Sequence, residues 1–130
     1  MATSWELQWE ELDLLQGLQV VPVENENGGI ECQVDQLDLT LHLTLWPSLG
    51  MVDLTLIERS TKAILLDLTA AVRGRICYYN DKRGQYLLFP DCVLVDRSLS
   101  FAQNEATFSA TTIGQPMRVA VCPRLSVLFN

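Results

Sequence analysis

His42 is the only imidazole in the chain, so a Ser-His-Asp or Cys-His catalytic arrangement would have to run through it. It lies on the polar side of an alternating run, and no nucleophile motif stands beside it. The sequence has no G-x-S-x-G elbow, no phosphate-binding loop, no G-x-G-x-x-G and no H-E-x-x-H. A lone histidine in that setting reads as a surface or hydrogen-bonded residue. Carboxylate pairs are the other acid–base device, and Asp35 with Asp38 is the nearest pair. The two flank irregular backbone, where a solvated turn accounts for them without chemistry. Cys32, Cys77, Cys92 and Cys122 are far apart and form no C-x-x-C. Buried free thiols are expected from that spacing, not a zinc site or a disulfide frame. The expectation is a protein that is not an enzyme and holds no cofactor or metal.

Recognition chemistry is better represented than catalysis. Tyr78 and Tyr79 are adjacent, so in a strand they point to opposite sides. Arg73, Arg75, Lys82 and Arg83 lie close by in sequence. Exposed tyrosine beside arginine is the composition enriched at binding hot spots. Cross-strand packing with a solvated turn is the competing reading.

Charge is divided along the chain. The first 58 residues carry eleven acids and no Lys or Arg, whereas the remainder carries all nine bases and only five acids. Glu6, Glu10 and Glu11 open the acidic half. With a net charge of −7, nucleic acid and anionic membranes are unfavourable partners, since both demand a basic footprint. Either the halves attract each other inside the fold, or they form a polarised surface that selects a partner.

These residues must be positioned by strands. Leu37, Leu39, Leu41, Leu43 and Leu45 alternate with polar residues, and Ile30, Cys32 and Val34 do the same out of phase. The phase change predicts a bulge near Asp35–Gln36. Further strands are expected over residues 19–24, 52–58, 62–72, 76–79, 86–89, 93–96, 106–113, 118–121 and 125–129, punctuated by Asn25–Gly29, Pro47–Gly50, Arg59–Lys62, Asn80–Gly84 and Pro90-Asp91. Over 62–72 a short helix is the alternative. The form of a capping box at Thr3-Ser4-Trp5-Glu6 predicts a helix over 4–15, ending near Gly17, against a strand in which Trp5, Leu7 and Trp9 alternate. Leu125, Val127 and Phe129 are expected to dock as a strand within the chain.

The reading is one domain over residues 1–130, mainly β and α+β at the margin. About eight antiparallel strands form a sandwich or a curled, barrel-like sheet with a short N-terminal helix. No run reaches the length of a membrane span. The acidic opening lacks a positive n-region, which predicts a cytoplasmic protein. The expected function is a non-catalytic protein-binding or assembly module that captures a partner segment, or a second copy, at a sheet edge or groove. Its expected binding residues are Glu6, Glu10, Glu11, Arg73, Arg75, Tyr78, Tyr79, Lys82 and Arg83. The alternative is a small barrel holding an apolar small molecule.

Overall fold

The computed structural model describes residues 6–95 and 113–129. Thr3 and Ser4, and all of the strand expected over 106–113 except Ile113, lie outside the described residues. The protein is mostly β: the described residues form one antiparallel nine-stranded sheet and one short α-helix near the N-terminus. The helix α1 is Glu11–Leu18, and the strands are β1 Val23–Glu24, β2 Ile30–Gln36, β3 Leu39–Trp46, β4 Met51–Glu58, β5 Ile64–Arg73, β6 Cys77–Asp81, β7 Gly84–Leu94, β8 Gln115–Ala120 and β9 Ser126–Leu128. Residues 64–73 are strand, as the period of two predicts. Neighbours run β1-β2-β3-β4-β5-β7-β8-β9, and β6 pairs with the first half of β7.

The expected bulge at Asp35–Gln36 is a two-residue hairpin instead. Gln36 pairs with Leu39 and Val34 with Leu41, with no break in register. Inward positions are therefore even on β2 and odd on β3, which is the phase change seen in the sequence. Leu37, expected on the inner face, sits in the turn at φ 54° and is 87% exposed. A first central turn residue with positive φ favours glycine. Leu37→Gly should therefore raise stability by up to about 1 kcal/mol, seen as a thermal midpoint higher by a few degrees. An unchanged or lower midpoint would show that Leu37 supports the turn in another way.

True register shifts occur in β4, between Leu56 and Ile57, and in β7, between Phe89 and Cys92. The second is the predicted Pro90-Asp91 corner. Gly74 faces it at φ 83°, and a Cβ there would lie 3.0 Å from the Pro90 ring. Past this corner β7 changes partner from β6 to β5. The last hairpin returns to the first: the Gln36 amide donates to Val121 O at 2.5 Å and accepts from Leu125 N. The strand expected at 125–129 thus docks within the chain, on β8.

The helix begins later than expected. Residues 7–10 are extended, with Gln8 bridging Arg75, and there the alternation of Leu7 and Trp9 prevails. Helical spacing takes over at Glu11, where Leu14 and Leu18, four apart, are fully buried. Acidic Glu11 and Asp13 in the first turn suit the positive end of the helix dipole. The helix runs through Gly17 and ends at Gln19 in the left-handed conformation. A Cβ at Gly17 would sit 3.1 Å from Leu87 Cβ, so glycine lets α1 settle on β7. Leu14 and Leu18 join Leu41, Leu43, Leu45, Leu54 and Phe89 in one core.

Candidate functional site

Of the sequence's catalytic candidates, Asp35 and Asp38 are hydrogen-bonded within the fold, and His42 lines the same open groove as both. His42 is exposed and stands across from Gln33 and Thr55, and the Thr55 hydroxyl donates to Asp67. Asp35 accepts from Thr40 Oγ1 at 2.6 Å, which, with Gln33, holds its carboxyl below the usual range. Asp38 accepts from the backbone N and the hydroxyl of Ser60 and so joins two turns. The four cysteines are free. Burial pushes the Cys32 thiol up to about 11 and the Cys92 thiol to about 12, which leaves little thiolate for nucleophilic chemistry. Among the described residues, no group of His, Cys, Asp and Glu is arranged to hold a metal ion.

The expected binding residues separate into two places. Glu6, Glu10, Glu11, Arg73 and Arg75 belong to one rim of the sheet. Leu7 N donates to Pro47 O, and Ile76 N to Gln8 O, each at 2.9 Å, so the segment before α1 is tied to the turns at Pro47–Gly50 and Arg73–Ile76. The Asn25–Gly29 turn reaches the same rim, because Gly29 lies against the Trp46 ring. Asn25 shapes that turn, its Oδ1 accepting from Asn27 N and Gly29 N. Glu24, Glu26 and Glu31 thereby join Glu6, Glu10 and Glu11. Trp46 is held by donating Nε1–H to Asp53 at 2.8 Å, and Thr69 donates to the same carboxylate. The rim's two arginines are paired: Arg75 with Glu10 at 2.6 Å and Arg73 with Asp91 at 2.8 Å. Glu10 also raises the Arg75 guanidinium above its ordinary value. Exposed Leu49 lies in the Pro47–Gly50 turn beside Trp46. The rim is acidic and also carries the apolar side chains of Trp46 and Leu49.

Tyr79, Lys82 and Arg83 lie elsewhere, on the β6–β7 hairpin. Tyr78 and Tyr79 do point to opposite sides. Tyr78 packs under α1 near Gly17, and its N–H donates to Asp13. Tyr78 is thereby half-buried beneath the helix, apart from the other expected binding residues. Tyr79 is on the outer face, stacked on its partner Tyr86 at 5.7 Å between ring centres. The Tyr86 hydroxyl donates to Asp81 at 2.6 Å, and Arg118 lies over the Tyr86 ring at 5.5 Å. Beside them a groove of ≈ 570 Å³ is lined by Arg83, Tyr86, Arg118, Pro123, Arg124 and Leu128. Arg118 and Arg124 were not singled out from sequence; Arg118 is on β8 and Arg124 is in the turn that joins β8 to β9.

The Asp81–Tyr86 bond sets a pH dependence at both ends. The Tyr86 hydroxyl, then the Arg83 backbone N–H, hold Asp81 low, so its contribution to stability is present above the unfolded carboxyl value and is lost as pH falls below about 4. The bond from Asp81 raises Tyr86, so its contribution is complete below the unfolded phenol value and is lost as pH rises past about 10. Asp81→Asn should flatten both flanks of the stability–pH profile measured by urea unfolding. Flanks as steep as in the parent protein would refute the coupling.

No family model and no curated sequence matches the chain. Among solved structures, it is similar to a chain of a contact-dependent growth inhibition toxin–immunity protein complex from Klebsiella pneumoniae 342. The TM-score is 0.65 at 14% identity, over 98% of this chain and 98% of that one. The likeness is one of fold, along nearly the whole of both chains. The shared fold thus occurs in a chain that belongs to a protein–protein complex.

Proposed function

We propose that the chain is a non-catalytic protein-binding module of the immunity type, which docks a basic partner protein on its acidic rim. The observation that carries this reading is the convergence of Glu6, Glu10, Glu11, Glu24, Glu26 and Glu31 around Trp46 and Leu49, brought together from two separate segments by Pro47 and Gly29. The carboxylates raise the encounter rate with a basic surface, and the apolar side chains supply short-range adhesion. The fold likeness to a chain of a toxin–immunity complex supports the class of partner, a protein. On this reading the protein works in the cytoplasm, where its cysteines stay reduced. The barrel carrying an apolar small molecule is disfavoured, because Leu14 and Leu18 of α1 are fully buried in one core with the inward leucines of the sheet.

The test is capture of the partner from native lysate on the tagged full chain, at low and at moderate salt. One basic protein in one-to-one ratio, depleted at the higher salt, is expected. An acidic partner, or a partner-free eluate at both salts, would refute the reading.

A further inference from the structure

We propose that the groove over Tyr86 is a second docking surface, which takes an acidic segment of a partner protein and pairs its carboxylates with Arg83, Arg118 and Arg124. The chain carries a net −7, yet three guanidiniums meet in this groove. Neither Arg83 nor Arg124 forms an ion pair with a described residue. Asp81, the nearby acid, is engaged by the Tyr86 hydroxyl and by the backbone N–H of Arg83, and its single negative charge, felt by Arg83 and Arg118, offsets only part of the three positive ones.

The groove is also ordered in advance. Tyr86 is buried, anchored at its hydroxyl and stacked on Tyr79, and Arg118 lies across its face. A guanidinium held on an aromatic ring keeps its planar fork of N–H donors in a fixed direction, so less side-chain freedom is lost when a carboxylate arrives. Planar bidentate pairing is what distinguishes arginine from lysine at such sites. Exposed Leu128 on the wall offers an apolar contact between the charges. An acidic peptide fits this spacing of positive and apolar groups better than a nucleic acid does. Phosphate backbones are held by long basic tracks, and this groove has three cations on a chain that is otherwise anionic. The groove lies on β7–β9, away from the acidic rim, so the two surfaces can be tested independently.

The test is a titration of the isotope-labelled full chain followed by amide chemical shifts. The probes are a capped hexapeptide of alternating aspartate and leucine, its asparagine isostere, inorganic phosphate and a ten-residue oligothymidine. The acidic peptide is expected to shift residues 84–88, 115–120 and 126–128, and the isostere to leave them unmoved. The exposed double variant R83Q/R124Q should weaken peptide binding at least tenfold, and Arg118→Lys, which keeps the charge but loses the planar fork, should weaken it by a smaller factor. Equal binding of the isostere, shifts centred on the acidic rim, or tighter binding of phosphate or oligothymidine would overturn the proposal. So would self-association in sedimentation that R83Q/R124Q abolishes, since the occupant would then be a second copy.

Discussion

Replacing Glu6, Glu11, Glu24 and Glu26 together by glutamine is expected to weaken the complex with the basic partner by roughly tenfold to a hundredfold, mostly through a slower association rate. All four are exposed, and none accepts a side-chain hydrogen bond from a described residue, so apart from the small helix-dipole contribution of Glu11 the fold has little stake in their charge. Conformational stability should therefore stay within about 0.5 kcal/mol of the parent, or rise slightly as like charges are removed. The remaining affinity should also depend less on salt, because fewer screened charges contribute. The contrast is with Asp38 and Asp53, which carry the same charge but accept hydrogen bonds from Ser60 and from Trp46 and Thr69. Neutralising those two should lower stability. If the quadruple variant binds as fast as the parent and with the same salt dependence, the rim does not steer the partner.

The charge split in the sequence has two physical meanings at once. Glu10 against Arg75 is internal charge complementarity between the acidic and basic halves, and Asp38 is satisfied by the neutral donors of Ser60. Glu6, Glu11, Glu24 and Glu26 are surface charge. A linear count of acids cannot separate these, because the difference lies in which carboxylates find a donor across the fold. The strands were legible for the opposite reason. Alternation is a local property, and it placed β3, β4, β5 and the β6–β7 hairpin correctly. It misplaced the Leu37 turn because a bulge and a two-residue hairpin produce the same change of phase. It also misjudged where α1 starts, since Trp9 fits either period, and the choice was made by Gln8 pairing with Arg75 far along the chain. Of the expected binding residues, Glu6, Glu10, Glu11, Arg73 and Arg75 come together, Tyr79, Lys82 and Arg83 form a separate surface, and Tyr78 lies half-buried beside α1. Arg118 and Arg124 reach that second surface only because Gln36 brings the last hairpin back.

Gln36→Leu is the substitution with the largest expected effect on the fold itself. Its side-chain amide is the donor to Val121 O and the acceptor for Leu125 N, so a single residue on β2 satisfies both backbone groups at the turn between β8 and β9. Leucine has a similar volume but no polar atom, and it leaves a partly buried carbonyl and a partly buried N–H without partners. Each such group costs about 1–3 kcal/mol when it is stranded, and the loss expected here is roughly 2–4 kcal/mol, a large share of the stability of a domain this size. The damage should be local before it is global. Amides of β9, held to the sheet by β8 alone, should lose hydrogen-exchange protection first, while β3 and β4, paired on both sides, keep theirs. Arg118 and Arg124 ride on that hairpin, so the groove over Tyr86 should loosen with it. Gln36→Glu separates the two bonds. It keeps an acceptor for Leu125 N, removes the donor to Val121 O, and should fall between the parent and the leucine variant at neutral pH. Uniform loss of protection across all strands in Gln36→Leu would mean that the hairpin is not separable and that Gln36 sits in the cooperative core.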